Sequence, residues 1–223
     1  MKKEIELKYH IPCLADFKLL LSKLKRQTQG PINKFTQKNI FFDTPQLDLR
    51  RLHIILRLRR ENKNYYLCVK QTKKHKITNN LSIRLEFEAP ISAQSAALMI
   101  KHQLSPLEVL ATLPAKNPDE NETRDYLCAK LYKITENNLH IIGSFTNKRI
   151  KIPLFLKSHK FYLELDHTTY PDKSEIFEME LELPHHHEAR LIQPLIKNML
   201  QELGLLSQVG MPNSDRLYKI LFG

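Results

Sequence analysis

The stretch Ile176-Phe177-Glu178-Met179-Glu180-Leu181-Glu182-Leu183 alternates glutamate with apolar residues. A period of two is typical of a β-strand whose two faces meet different surroundings. Successive glutamates on one face of such a strand stand about 6.5–7 Å apart. Once these carboxylates are shielded from water, their repulsion must be offset by bases or cations, or their pKa values rise. The stretch therefore predicts a strand with one face on an apolar core and the other toward charged partners.

Five other segments sort charged and apolar residues onto opposite faces in the same way. For a single strand, the simplest interpretation is an antiparallel sheet whose charged face meets water. Six strands sorted alike favour a closed barrel, in which the apolar face packs outward against helices and the charged face lines an interior. The other five segments are Glu4–Lys8, Arg57–Arg59, Cys68–Lys70, Arg84–Glu88 and Glu164–Asp166.

Strands that return after helices, without regular βαβ alternation, indicate an α+β fold built on an antiparallel sheet or barrel. We expect one domain spanning residues 1–223, with the proline-containing stretch 105–121 as a loop or short-helix connection. Helical spacing of apolar residues predicts helices at 13–26, 93–102, 122–132, 186–203 and 214–222. Alternation predicts strands at 3–9, 35–42, 54–60, 65–70, 81–87, 139–145, 148–155, 161–166 and 176–183.

The composition excludes several classes of protein. The chain has 223 residues, a net charge of +11 and 42% hydrophobic residues, which fits a folded protein rather than a disordered one. It has no P-loop or dinucleotide-binding glycine motif and no apolar run of about 18 residues, so we expect no membrane span. Cys13, Cys68 and Cys128 are scattered, which predicts free thiols in a reducing compartment, the cytoplasm. The positive charge indicates an anionic partner, unless the surface is simply basic.

The charged segments, taken in order, resemble the CYTH superfamily, the triphosphate tunnel metalloenzymes. The opening E-x-E-x-K is weak alone, but the ordered series spans residues 1–222. The matching segments are Glu4–Lys8 (E-x-E-x-K), Phe41–Pro45 (similar to Y-F-D-T), Leu56–Arg60 (similar to L-R-x-R), Tyr66–Lys70 (a strand ending in lysine), Arg84–Glu88 (R-x-E-x-E), Lys148-Arg149 (a later basic strand) and Glu178–Glu182 (E-x-E-x-E).

The resemblance implies a closed eight-stranded antiparallel tunnel, with helices packed outside, that binds a triphosphate compound together with Mg²⁺ or Mn²⁺. Glu4, Glu6 and Lys8 would be catalytic residues. The family contains both monomers and homodimers. Phosphate contacts would come from Lys8, Arg57, Arg59, Lys70, Arg84 and Arg149. Metal ligands would come from Glu4, Glu6, Asp166, Glu178, Glu180 and Glu182.

Two positions depart from the family pattern. The family often ends in a Ser-Lys helix segment that plugs one tunnel mouth, and here the matching stretch is Asn213–Arg216. We expect Arg216 to replace that lysine and to contact phosphate. Cys68 stands on the same face as Lys70, where a small hydroxyl residue is more usual.

The resemblance implies a metal-dependent hydrolase, and inorganic tripolyphosphate is the first choice of substrate because it demands the least further recognition. A class IV adenylyl cyclase and a thiamine triphosphatase are alternatives on the same fold, although the chain has no distinct adenine-binding signature and no tryptophan. RNA with a 5′-triphosphate is a less favoured substrate. A second class is a binder of polyphosphate or RNA without turnover. Such a binder would gain nothing from the carboxylates of Glu4 and Glu6 or of the Glu178–Glu182 strand.

Overall fold

The computed structural model describes residues 1–28, 30–78, 80–135, 138–156, 159–205 and 212–223, which contain eight strands and seven α-helices. The strands are β1 (Lys3–Ile11), β2 (Asn33–Asp43), β3 (Ile54–Glu61), β4 (Asn64–Thr78), β5 (Leu81–Ile91), β6 (His140–Leu156), β7 (His159–Thr169) and β8 (Glu175–Glu182). The helices are α1 (Leu14–Gln27), α2 (Asp48–Arg51), α3 (Ala93–Ile100), α4 (Pro106–Thr112), α5 (Pro118–Thr135), α6 (Ala189–Gln201), which follows a 3₁₀ turn at His186–Glu188, and α7 (Asn213–Phe222).

The eight strands form a closed barrel in the order β1-β5-β4-β3-β2-β6-β7-β8, and β8 returns to β1. Every neighbouring pair is antiparallel. The closing pair sets Lys8 opposite Glu180 and Tyr9 opposite Met179. The predicted closed antiparallel barrel with outer helices is confirmed.

The outer face of the barrel carries two apolar cores. One packs β1, β6, β7 and β8 against α1 and α6, and Leu7, Leu20 and Met179 are fully buried in it. The other packs β3, β4 and β5 against α2–α5, with Leu56 and Leu110 fully buried. Each large apolar side chain buried in this way contributes about 1.5–3 kcal/mol. Because apolar residues alternate along the strands and face outward, the charged residues between them must face inward.

Helix α7 lies across one end of the barrel. A Cβ atom at Gly143 on β6 would overlap the end of the Leu221 side chain, so a larger residue there would require that side chain to move. The Tyr218 hydroxyl donates a hydrogen bond of 2.6 Å to the buried Asp43 carboxylate at the end of β2. Asp43 also accepts backbone N–H bonds from Leu49 and from Arg50 in α2. This carboxylate therefore ties α7 to the barrel end.

Several element boundaries differ from prediction; β4, for example, runs on to Thr78. Residues 139–155 were expected to form two strands, but β6 is continuous from His140 because its ladder with β2 runs through Thr146 and Asn147. Helix α5 begins at Pro118, four residues early, because proline is tolerated in a first turn and Asn117 Oδ1 accepts the Glu120 N–H at 2.9 Å. The predicted helix at 186–203 opens with a 3₁₀ turn and contains its α-helical part at 189–201.

Candidate active site: a charged tunnel

The inward faces of all eight strands enclose a cavity of about 380 Å³, with α7 at one end. Eleven of the thirteen predicted site residues line this cavity, and Glu178 and Arg216 do not. The eleven are Glu4, Glu6, Lys8, Arg57, Arg59, Lys70, Arg84, Arg149, Asp166, Glu180 and Glu182.

We call the bases on β3, β4 and β5 the basic wall: Arg57, Arg59, Lys70 and Arg84. Lys70 Nζ lies 2.8 Å from Glu4 Oε1 and 2.8 Å from Glu86 Oε1. Arg84 bridges two carboxylates of β1, because its Nε donates to Glu4 at 2.5 Å and its Nη2 contacts Glu6.

The other two bases of this wall have fewer carboxylate contacts. Arg59 Nη2 donates to Glu88 at 2.6 Å, and its guanidinium lies 5.3 Å from the centre of the Tyr66 ring. Arg57 Nη2 comes no closer than 3.7 Å to Glu88, and within the described residues Arg57 Nε has no hydrogen-bond partner. Among the described residues, the Arg57 guanidinium thus makes no close ion pair and contacts the Cys68 sulfur and Glu88, each at 3.7 Å.

We call the carboxylates on β7 and β8 the acidic wall: Glu164, Asp166, Glu178, Glu180 and Glu182. Lys8 of β1 inserts here, with Nζ 2.9 Å from Glu178 and 2.8 Å from Glu180. Arg149 of β6 donates to Asp166 at 2.8 and 2.5 Å and to Glu180 at 2.7 Å, and it also contacts Glu164. Two bases therefore neutralise most of this wall.

Burial and nearby charges shift the pKa values of Glu4 and Glu6, two carboxyl groups of β1, in opposite directions. Burial raises the pKa of Glu6 to about 7, and the nearby Glu180 and Glu4 carboxylates add to the rise against the attraction of Arg84. Burial opposes ionisation of Glu4 too, but Lys70 and Arg84 outweigh it and hold the pKa of Glu4 below its usual value. Despite burial, Lys8 and Arg149 likewise hold the pKa of Glu180 low.

The carboxylates fit a hard divalent cation. Glu6 Oε1 is buried and has no hydrogen-bond partner within the described residues, so it is an acceptor left for a ligand. Oxygen donors suit Mg²⁺ and Mn²⁺. Among described residues, three candidate ligand atoms lie within 4.8 Å of one another only at Cys68, Glu86 and Glu88. Burial raises the pKa of the Cys68 thiol to about 12, so this set keeps a protonated sulfur that suits neither ion.

Three predicted residues have unexpected surroundings. Glu178 is fully buried behind Lys8 rather than on the cavity surface. Arg216 is not among the residues that line the cavity, and its charge adds to the effect of burial in lowering the pKa of His10. The phosphate contact of Arg216 stays a prediction, and four other residues of α7 line the cavity: Asn213, Ser214, Asp215 and Tyr218. Cys68 Sγ lies 3.7 Å from Arg57 Nη2, behind the cavity surface.

Sequence reasoning missed the uncharged polar residues of the tunnel. Gln37 and Asn39 of β2 line the cavity, and the Gln37 amide donates to Glu61 at 2.6 Å. Asn147 of β6 donates to Gln37 Oε1 at 3.3 Å. Because Thr36 and Lys38 on the opposite face are also polar, alternation of polar and apolar residues gives no signal for Gln37 and Asn39. The strand patterns also contained four charged lining residues that were not assigned: Glu86, Glu88, Lys151 and Glu164.

Comparison with known proteins agrees with this architecture. A family model described as "CYTH domain" matches residues 2–214. A Bacillus subtilis (strain 168) protein named, provisionally, triphosphatase YjbK is 28% identical over 223 residues, which cover 99% of this chain and 95% of that protein. In the described part of the chain, no helix is long and apolar enough to cross a membrane.

Two solved structures share the fold. HpAC1 from Hippeastrum, a proposed adenylyl cyclase reported to have a dominant triphosphatase activity, superposes with a TM-score of 0.74 at 22% identity, covering 97% of this chain and 95% of that one. A proposed adenylate cyclase from Bacillus halodurans gives 0.66 at 21% identity, covering 98% and 100%. With the family model matching nearly the whole length, the chain belongs to the CYTH domain family.

Proposed function

We propose that the protein hydrolyses a terminal phosphoanhydride bond of a triphosphate, with inorganic tripolyphosphate as substrate and with Mg²⁺ or Mn²⁺ as cofactor. The observation that carries this proposal is the convergence of six bases, from five strands, on one cavity that also holds clustered carboxylates: Lys8, Arg57, Arg59, Lys70, Arg84 and Arg149. The name of the Bacillus subtilis relative and the activity reported for HpAC1 support the same reaction class.

The basic wall would bind and orient the substrate. Phosphoryl transfer depends mainly on positioning and on charge neutralisation, which preorganised guanidinium groups supply. Arg57 and Arg59 would each direct a guanidinium fork at the phosphate oxygens. Lys8, whose pKa is raised by Glu178 and Glu180 despite its burial, stays protonated and would neutralise charge on the phosphoryl group that is transferred.

The carboxylates would hold the cation and position water. Glu4, Glu6, Asp166, Glu180 and Glu182 would hold the ion, with Glu178 supporting Lys8 from behind. The chemistry that Mg²⁺ or Mn²⁺ supplies when bound is neutralisation of phosphate charge and acidification of water. Glu6, which keeps an unpartnered oxygen at the cavity, would orient the attacking water and accept its proton.

The lining favours an inorganic substrate over a nucleotide or thiamine compound. Its aromatic residues are buried at the end near α7: Phe41 and Phe145 pack on each other and belong to one cluster with Leu217, and the Tyr218 hydroxyl is bonded to Asp43. Tyr66, a candidate for base stacking, already lies against the Arg59 guanidinium. A cyclase or a thiamine triphosphatase would need an organic-group pocket, and among the described residues no further Phe or Tyr lines the tunnel cavity itself.

We further propose that the protein acts in the cytoplasm as a monomer or a homodimer. The three cysteines are free, and two of them are buried, which fits a reducing compartment.

The test compares hydrolysis of tripolyphosphate, thiamine triphosphate, ATP and 5′-triphosphate RNA by the wild type and by Glu4→Gln/Glu6→Gln. We expect tripolyphosphate to be turned over fastest and the variant to be inactive, while Glu108→Gln/Glu202→Gln, on the exposed surface, keeps wild-type rates. If no substrate is turned over and the variant binds polyphosphate as tightly as the wild type or more tightly, the protein is a polyphosphate-binding module and not an enzyme. Cyclic AMP formed from ATP would instead identify a cyclase.

A further inference from the structure

The inner face of the β6–β7 pair continues past the cavity. The two strands line the cavity at the pair Lys151↔Glu164 and remain paired through Pro153↔Tyr162 to Phe155↔Lys160. Because side chains alternate along a strand, Tyr162 and Lys160 face the same side as Glu164. They lie roughly 7 and 13 Å further along β7. We call Lys151, Lys160 and Tyr162 the ledge.

The ledge adjoins the tunnel through shared residues. A second pocket, of about 250 Å³, is lined by all three residues of the ledge. It shares Lys151, Glu164 and Glu182 with the tunnel cavity. A long ligand in the tunnel cavity therefore extends into the second pocket while it stays in contact with the protein.

The chemistry of the ledge is cationic. The ammonium groups of Lys151 and Lys160 each lie 5.1 Å from the centre of the half-exposed Tyr162 ring, which holds them by cation–π attraction. Lys151 also pairs with Glu164 at 3.0 Å, whereas Lys160 makes no ion pair within the described residues. With two ammonium groups on the ring, a nucleobase would have to displace them, while an anion would find them already positioned.

We propose that the protein binds linear inorganic polyphosphates longer than three phosphates. The tunnel would hold three phosphate groups, and the ledge would bind the groups beyond them. This rests on the proposed triphosphate site. Helix α7 lies across the opposite end of the barrel, where Tyr218 is bonded to Asp43, so a longer chain extends toward the ledge. The carboxylates of the second pocket, Glu164 and Glu182, lie on its tunnel side, and Lys160 lies at the far end of the strand.

The test measures binding, by calorimetry in metal-free buffer, of linear hexaphosphate and of tripolyphosphate. We expect the wild type to bind hexaphosphate more tightly. Lys160→Gln/Tyr162→Leu should weaken hexaphosphate binding roughly fivefold relative to tripolyphosphate, the scale of an exposed charge contact. Lys160→Gln alone should show part of this loss. Lys197→Gln, an exposed lysine on α6, is the charge-matched control and should bind like the wild type.

The proposal that the ledge binds polyphosphate would be overturned by either of two results. One is equal affinity of the wild type for the two polyphosphates, and the other is an equal loss of affinity for both in the ledge variants. Tighter binding of ATP than of hexaphosphate, lost in Tyr162→Leu, would assign the pocket to a nucleobase and overturn it as well. Hydrolysis of tripolyphosphate would then still support the proposed function. Selective hexaphosphate binding without hydrolysis of any substrate would instead retain the ledge and refute the triphosphatase.

Discussion

Arg57 and Arg149 are both inward-facing arginines of the same tunnel, but their surroundings differ. The nearest carboxylate to Arg57 on the basic wall is Glu88, at 3.7 Å. Arg149 is held against the acidic wall by three carboxylates, among them Asp166 and Glu180 at 2.5 and 2.7 Å. Arg57 therefore has fewer carboxylate contacts to give up before it binds a ligand, whereas Arg149 first compensates buried negative charge.

This contrast predicts linked binding of cation and substrate. A divalent ion that took over Glu180 would also release donors of Arg149 and Lys8, which both contact that carboxylate. The freed donors could then bind phosphate oxygens. Lys8 and Arg149 are thus bound to carboxylates of the acidic wall until a cation binds, whereas Arg57 has no carboxylate closer than 3.7 Å in the described part of the chain.

The largest effect expected is the loss of stability in Arg149→Gln. Removing this base leaves Asp166 buried without its main partner and leaves Glu180 with Lys8 as its remaining ion-pair partner, which costs about 3–5 kcal/mol. Urea denaturation of metal-free protein would measure it, with Arg190→Gln, exposed on α6, as the control. The deficit should shrink as the pH falls toward 5, because protonation removes the uncompensated charges. If Arg149→Gln has the same unfolding free energy as the wild type, Arg149 does not compensate the buried carboxylates in the way that this contrast with Arg57 requires.

Next in size is the loss of catalysis in Glu180→Gln on the acidic wall. We expect the rate of tripolyphosphate hydrolysis at saturating Mg²⁺ to fall roughly 100-fold or more, because charge stabilisation of the transition state is lost. Metal-free tripolyphosphate binding should stay equal or tighten, since a repelling carboxylate is gone. Glu175→Gln, exposed on the same strand, is the control. Hydrolysis at the wild-type rate would remove Glu180 from the site.

Arg57→Gln should act on substrate affinity without a matching loss of stability. One charge-assisted contact to phosphate is worth about 1.5–3 kcal/mol, so the KM for tripolyphosphate should rise roughly tenfold or more. The unfolding free energy should change by less than about 1 kcal/mol, because Glu88 keeps Arg59 at 2.6 Å. Arg60→Gln, the neighbouring outward residue, should leave KM unchanged. An equal KM in both variants would show that Arg57 does not meet the substrate.

The smallest effect is expected at Cys68, which lies behind the basic wall. Cys68→Ser should keep kcat/KM within roughly twofold, because the charges and not the thiol bind phosphate. The pKa of this thiol is raised from 9.0 to about 12, so the wild type should lose stability relative to the variant as the pH rises through that range. At pH 8, iodoacetamide should modify the exposed Cys13 and spare Cys68, as read by mass spectrometry. Rapid labelling of Cys68 would place it on the open cavity surface.

Alternation along single strands was enough to predict the barrel and most of its lining. It worked because each inward face keeps a period of two, as in Glu4 and Glu6 of β1. Alternation does not indicate how deeply a side chain is buried. Glu178 shares a face with Glu180 but lies behind Lys8. Contacts across the barrel, such as Lys70 with Glu4, join residues distant in sequence and leave no local pattern.

The pairing of β1 with β8 also fixes when the tunnel can exist during synthesis. Glu6 lies opposite Glu182, so almost the whole described chain must leave the ribosome before the barrel closes. Until then β1 has one unpaired edge, and such edges invite wrong pairing. Contacts between partners so far apart in sequence form slowly. A chain interrupted before β8 would therefore contain the strands and helices of the second core but would lack β8 and α6 of the first, and it would have no enclosed interior.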